Sequence, residues 1–330
     1  MSGQVTIVMY HYVRDYQVSA YPGINGLDVR DFASQIGYFA RYYVFVTLEE
    51  CWNALDGKNN LPENAVLLTF DDGYADHYEY VFPLLKQKGI QGTFFVPAGP
   101  CDEKVVLDVN KIHFILASSP DPSILLRHLL TLMSRKREQF GLDDPQAYVS
   151  TITDSFRFGS QEVLIFKRLL QRTLPSRARK EIIGEMFADF VTADERGFSE
   201  RLYLSESQMK EMSAQGMAFG HHYSSHEWLT TLSRARHEEE LAKGLDLLNR
   251  IGARTDKWAV SYPYGAHDAQ SVEMPHAQGC VMGVTITPAI ARLDPIHRMV
   301  LPRLDTNDFP RNSDAPPNAW TLQVLSHKGH

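Results

Sequence analysis

The sequence predicts an α/β fold in which parallel strands alternate with helices. Short apolar, β-branched runs recur along residues 5–96 and again along 217–286, and stretches with helical periodicity lie between them. Taken in order, the strands fall at Val5–Met9, Val44–Thr47, Ala65–Phe70, Gly92–Val96, Met217–Gly220, Trp258–Tyr262 and Cys280–Ile286. Helices are predicted over Val29–Tyr42, Leu48–Asp56, Tyr78–Lys88, Ser205–Gln215 and Arg234–Ile251. The third of these shows its stop signal, with lysines in the last turn and Gly89 just beyond.

From Pro97 to Tyr203 the strand rhythm stops, and helical patterns such as Ile112–Ala117, Ile124–Met133 and Glu162–Leu170 take over. This reads as a helical insertion at about 97–203 in a barrel-like core made of 1–96 and 204–306. Residues 307–330, with Pro310, Pro316 and Pro317, read as an irregular C-terminal tail. His237, flanked by Arg236 and Glu238, reads as part of a solvated helix face.

Composition narrows the function classes. The chain has 330 residues, 44% hydrophobic and 22% charged, and a formal charge of -7, so it offers no basic stripe for a phosphate backbone and nucleic acid is not an expected partner. Three widely spaced cysteines, Cys51, Cys101 and Cys280, suggest neither a disulfide framework nor a thiolate zinc site. No apolar run approaches the roughly 20 residues of a membrane span. Met1-Ser-Gly-Gln leads straight into a strand-like run without the marks of an export signal, so a cytoplasmic location is expected.

Three motifs carry chemistry. In Leu67-Leu-Thr-Phe-Asp71-Asp72-Gly73-Tyr74 an apolar strand ends in two adjacent carboxylates, one able to bind a metal while the other stays free as a base. In Phe219-Gly220-His221-His222-Tyr223-Ser224-Ser225-His226 two histidines stand four apart at a second strand end. With one carboxylate they would make the three-ligand, open-position set of a catalytic zinc site. Ser261-Tyr262-Pro263-Tyr264-Gly265 is a turn after a third strand, able to aim a backbone N–H at an oxyanion.

Together these motifs resemble the NodB-like polysaccharide deacetylases, carbohydrate esterase family 4. The T-F-D-D-G pattern stands at Thr69–Gly73, H-x-x-x-H at His222–His226 and Pro-Tyr-Gly at Pro263–Gly265. Lys86–Val96 and Leu301-Pro302-Arg303 are similar as well. The resemblance implies a distorted (β/α) barrel of the NodB type, with Asp71 as general base and Asp72, His222 and His226 as ligands of a divalent ion. Zinc suits that set, and cobalt, nickel and iron are also accommodated.

A branch with permuted motif order takes its catalytic acid from an N-terminal Tyr-His, which points to His11 in Tyr10-His11-Tyr12; His297 is the second candidate. The family's arginine before Pro-Tyr is replaced here by Ser261, and Tyr223 stands where a hydroxyl residue often follows the first metal histidine. Arg303 is the cation available to take the arginine's place beside Asp71.

The implied substrate is an N-acylated amino sugar, carried as a sugar nucleotide, a lipid-linked sugar or a surface polysaccharide, with acetyl or formyl as the acyl group. A small non-sugar amide and a catalytically inactive carbohydrate-binding role are the alternatives. Oligomeric state is left open by the sequence.

Overall fold

The computed structural model describes residues 3–152 and 160–326. Its strands are β1 (Gln4–Tyr10), β2 (Val13–Arg14), β3 (Leu27–Asp28), β4 (Val44–Phe45), β5 (Ala65–Phe70), β6 (Gly92–Val96), β7 (Ala218–His221), β8 (Trp258–Ser261), β9 (Cys280–Val284), β10 (Ala291–Arg292) and β11 (Leu304–Asp305). One sheet runs β10-β1-β5-β6-β7-β8-β9, with β4 also beside β5 and β11 also beside β1. Its pairings are parallel except β1 with β10. Leu301 bridges to Val284 and Leu304 pairs with Val8, so residues 301–305 tie the last long strand back toward the first. The sheet is thus curled, in keeping with the distorted (β/α) barrel that the resemblance implies.

Strand parity separates two cores. Val8, Tyr10, Leu68, Phe70 and Phe94 pack outward with Phe32, Ile36 and Phe39 of the helix Val29–Tyr42. Val5, Ile7, Leu67, Phe95, Ala259, Met282 and Val284 form the other cluster. They come from strands that are not all neighbours, so they meet only inside the curl. Asp71 continues the odd-numbered phase of Leu67 and Thr69 and therefore enters the inner side.

Across four adjacent strands runs an aromatic ladder in strict register, at the last residue of β1 and β5 and within β6 and β7. Tyr10 is paired with Phe70, Phe70 with Phe94, and Phe94 with Phe219. Their rings are 5.0, 4.9 and 5.7 Å apart, centroid to centroid. Such cross-strand aromatic pairs fix register as well as contributing burial. Phe32 closes the outer end edge-on, 5.3 Å from Tyr10, and the Tyr10 hydroxyl donates to Gln35 Oε1 at 2.7 Å.

The helix Val29–Tyr42 starts where Asp28 accepts a bond from the Arg30 N–H, and it buries Phe32, Gln35, Ile36 and Phe39 along one stripe. The predicted helix 78–88 begins with a π-turn over His77–Val81 before the α-helix Phe82–Lys88. Pro83 explains the irregularity, because in a regular α ladder its ring would press on the Glu79 carbonyl.

Residues Lys104–Ser199, with Tyr16–Asn25, form a second compact unit. Its secondary structure among the described residues is helical, including Asp108–Ala117, Pro122–Arg135, Gln161–Arg168 and Ser176–Phe190. The expected insertion at 97–203 is therefore narrower as a separate unit, and a loop near the start of the chain joins it. Lys111 is buried there and pairs with Glu195 at 2.8 Å.

The tail differs from the irregular segment expected at 307–330. A 3-10 turn covers Thr306–Asp308 and an α-helix covers Ala319–Ser326. Asn318, immediately after the two prolines, accepts from the Thr321 N–H and opens that helix. Phe309 packs 4.8 Å from Phe39, and the Tyr38 and Tyr43 hydroxyls both meet Thr321 Oγ1, at 2.7 and 2.9 Å. The prolines that suggested an irregular tail stand just before the helix and do not enter it. Among the described residues no helix is long and apolar enough to cross a membrane.

Phe94 is the central rung of the ladder and fully buried. Phe94→Ala is expected to cost about 3–5 kcal/mol of unfolding free energy, read in urea titrations as a lower midpoint with little change in slope.

Candidate active site

The chemistry-bearing residues meet at the carboxyl ends of the parallel strands, where side chains of a barrel converge. Asp71 follows β5, is 2% exposed, and has its backbone N–H bonded to the Tyr10 carbonyl. The Arg303 guanidinium grips its carboxylate with both ends, Nη1 to Oδ1 at 2.9 Å and Nη2 to Oδ2 at 2.7 Å. Ser261 donates to Oδ2 at 3.0 Å and accepts from Arg303 Nη2 at 2.9 Å. Arg303 is itself held by the Thr285 carbonyl at 2.8 Å and Thr69 Oγ1 at 3.1 Å. Burial alone would raise the Asp71 carboxyl, but the charge and hydrogen bonds of Arg303 bring it down to about 2. Asp71 is thus ionised throughout the neutral range.

Asp72 turns the other way. Its backbone is in the left-handed region at φ 72°, a conformation that strains a non-glycine residue and is concentrated at functional sites. Asp72 Oδ1 lies 3.3 Å from His222 Nε2 and 3.5 Å from His226 Nε2. The three residues can offer one ligand atom each within 4.8 Å of one another, all three buried. Asp72 Oδ1 and His222 Nε2 have no hydrogen-bond partner.

His222 Nδ1 is 2.8 Å from the Ser261 carbonyl. That bond puts the proton on Nδ1 and leaves the Nε2 lone pair facing Asp72. A buried carboxylate oxygen and imidazole lone pairs facing each other at this distance repel unless a cation or proton lies between them. The donor set, two nitrogens and one oxygen, fits a divalent ion of the zinc type.

The loop that carries the histidines is braced from below. Glu240, fully buried, accepts from the backbone N–H groups of Ser224 and Ser225 at 2.7 and 2.8 Å and pairs with Arg236 at 2.8 Å. His221 Nδ1 accepts from the Tyr223 N–H at 3.0 Å, while its Nε2 bonds the Leu241 carbonyl at 3.2 Å. Tyr223 and His226 both have left-handed backbones, at φ 60° and 53°. The four-residue histidine spacing therefore works here through a bent loop rather than a helix face.

His237, expected on a solvated face, is instead buried, with Nε2 3.1 Å from the Tyr223 hydroxyl. Its charged neighbours Arg234 and Glu238 do point outward, but position 237 lies on the inner stripe of the helix Arg234–Arg250 with Leu241 and Leu248.

His11 follows β1. Its carbonyl accepts from His77 Nε2 at 2.8 Å, a contact reached from the π-turn, and its imidazole is close enough to bias the charge of Asp71, Asp72 and His226. Tyr264, with φ 58°, sets its ring edge-on to His226 at 4.7 Å and stacks on Trp228 at 4.5 Å and 8°. His297 is elsewhere: it is exposed and pairs with Asp294 at 3.0 Å. The adjoining Arg298 bonds the Val281 carbonyl near the start of β9, the end of the sheet away from Asp71.

Sequence reasoning thus places Asp71, Asp72, His222, His226, His11, Tyr264 and Arg303 together, and the structure brings them to one place. It missed the supporting residues His77, His221, Glu240 and Trp228. Only the proline-irregular helix start hinted at His77, and nothing in the run Glu238-Glu239-Glu240 marks the third glutamate as buried.

Comparison with known proteins bears on the family and the fold. A model of the polysaccharide deacetylase family matches residues 58–121 and 180–282, about half of the chain. A stretch of 54 residues is 39% identical to the "Putative polysaccharide deacetylase YxkH" of Bacillus subtilis (strain 168), covering 16% of this chain and 19% of that protein. Among solved structures, the Streptococcus pyogenes deacetylase PplD in complex with acetate superposes with a TM-score of 0.58 at 18% identity, over 99% of this chain and 98% of that one. IcaB from Ammonifex degensii gives 0.54 at 20%, over 98% and 96%. A de-N-acetylase from Aggregatibacter actinomycetemcomitans gives 0.55 at 15%, over 98% and 100%. At such identities these structures speak for a shared fold.

Two outcomes test the bracing of the site. A β-carbon on Gly244 would lie 2.0 Å from His221 Nε2. Gly244→Ala, which in an ordinary helix interior gains up to about 1 kcal/mol, is expected here to destabilise by about 1–3 kcal/mol in thermal unfolding. Burial lowers the His77 imidazole from an ordinary 6.5 to about 4, so the unfolded chain binds a proton in that window that the folded chain refuses. Stability should fall on acidification from pH 6.5 to 4. In His77→Gln the fall should be shallower by up to about 1.4 kcal/mol per pH unit, read from denaturation midpoints across that range.

Proposed function

Because the chain belongs to the polysaccharide deacetylase family, we propose that it is a metal-dependent hydrolase that removes an acetyl or formyl group from the nitrogen of an amino sugar. The substrate class is a surface polysaccharide or its sugar-nucleotide or lipid-linked precursor. The observation that carries this reading is the buried Asp72–His222–His226 cluster with its orphaned ligand atoms, set beside a carboxylate that Arg303 keeps ionised.

When bound there, a divalent ion supplies Lewis acidity to the amide carbonyl and to the attacking water. The rest of the chemistry belongs to the chain. Asp71 accepts the proton of the water as it attacks the acyl carbon. Its carboxylate is aimed by three donors, so its orientation is settled before substrate arrives. The backbone N–H of Tyr264, in its left-handed turn, is the candidate donor to the oxyanion, and the ring stacked on Trp228 holds that turn in place. His11 in its protonated form delivers a proton to the departing amine, which is otherwise a poor leaving group. The His77 bond to its carbonyl holds that residue at the strand end.

The reading is tested by acetate and formate release from a panel of N-acylated amino sugars, sugar nucleotides and oligosaccharides. Protein loaded with zinc or cobalt is expected to release acid, and chelation should abolish release until the ion is restored. Asp71→Asn should lower kcat by about 10²–10⁴-fold with little change in KM. Absence of release from every sugar, with the ion demonstrably bound, would move the assignment to a small non-sugar amide.

A further inference from the structure

Asp72 has two carboxylate oxygens, and only one of them faces the histidines. The other, Oδ2, accepts a hydrogen bond of 2.5 Å from the Tyr74 hydroxyl. We infer that Tyr74 is the positioning residue that makes Asp72 a one-oxygen ligand: its phenol occupies Oδ2 and turns Oδ1 toward His222 and His226. The inference rests on the metal-site reading above and concerns how this chain presents the ligand set.

The geometry gives Tyr74 little freedom to do anything else. It is fully buried, and its ring lies in a near-parallel stack between Tyr12, at 4.0 Å and 18°, and Tyr203, at 6.1 Å and 16°. The backbone is pinned at the same point, because Tyr74 and Tyr203 form an antiparallel bridge and the Leu204 N–H bonds the Gly73 carbonyl at 2.8 Å. A phenol so confined can swing away from Asp72 only by breaking the stack. Without its hydroxyl, the Asp72 carboxylate is free to rotate about its last torsion, and both oxygens can turn toward the same cation. Two-residue spacing alone does not produce this contact. It depends on the left-handed turn through Asp72 and Gly73, at φ 72° and 65°, which folds the chain back so that residue 74 meets the side chain of residue 72.

The stack also reaches further than the carboxylate. Tyr12 adjoins His11, the candidate acid, and Tyr203 lies where the chain re-enters the strand-bearing unit. One column of three tyrosines thus joins the β1 loop, the ligand carboxylate and the returning chain.

Tyr74→Phe keeps the ring and removes only the hydroxyl. The full chain is titrated with Co²⁺ against a chromophoric chelator, and the visible spectrum of the cobalt protein is recorded. Loss of a bond that orients a ligand typically weakens metal affinity about 10–100-fold. That loss is expected here, with a weaker, shifted cobalt band as a second carboxylate oxygen joins the ion. Tyr203→Ala, which leaves the phenol bond but opens the stack, is expected to weaken affinity by a smaller factor and provides a second handle if the first variant folds poorly. Wild-type affinity and spectrum in Tyr74→Phe would overturn the inference while leaving the metal site standing. If the unaltered protein binds no Co²⁺, the metal-site reading itself is overturned, and the inference with it.

Discussion

The candidate site depends first on strand register. Tyr10, Phe70, Phe94 and Phe219 stand side by side across four parallel strands, and in β1 and β5 the residue just past the rung is a chemical one, His11 or Asp71. Because side chains alternate faces, a slip of one residue would send Asp71 toward the helix layer and bring Phe70 into the curl. Four large rings in contact oppose any such slip, since every rung would have to shift with its neighbours. The ladder does no chemistry, yet it decides which side of the sheet the chemistry occupies.

On the inner side, electrostatics completes what register begins. Asp71 and Arg303 are both almost wholly removed from water, and two buried charges are tolerated only with close geometry and satisfied hydrogen bonds. Here the guanidinium forks onto both carboxylate oxygens, and Thr69, Thr285 and Ser261 take up its other donors. The same arrangement leaves Asp71 oriented and charged without consuming the histidines, so those remain available to Asp72. Two adjacent aspartates thereby acquire different partners because the backbone turns left-handed between them.

Much of this was legible in the sequence, and the reasons differ by element. Ala65–Phe70, Gly92–Val96 and Val29–Tyr42 have the bounds that apolar runs and periodicity predict, because each is a continuous stretch whose local preference and burial agree. The motif residues were legible because strand ends and paired ligand types leave a local pattern. Arg303 was legible only as an available cation, since its contact with Asp71 spans 232 positions. What failed to show was burial of polar groups. Glu240 and His237 lie among charged neighbours, and only the tertiary fold turns those two inward. The helix Ala319–Ser326 was hidden by the prolines before it, whose effect ends at Asn318.

The separation between Asp71 and Arg303 also bears on the order in which the molecule assembles. Contacts distant along the chain form only after the loop-closure entropy of the intervening segments has been overcome. The strand holding Asp71 can pair with β1 and β6 while its carboxylate is still hydrated and uncommitted. Burial of that carboxylate has to await the segment 301–305, which brings both the guanidinium and the closing strand β11. The ion pair therefore serves as a latch on topology: a partly folded chain that lacks the last pairing keeps its inner face wet, and the Asp71 carboxylate becomes dry only when the whole sheet is in place.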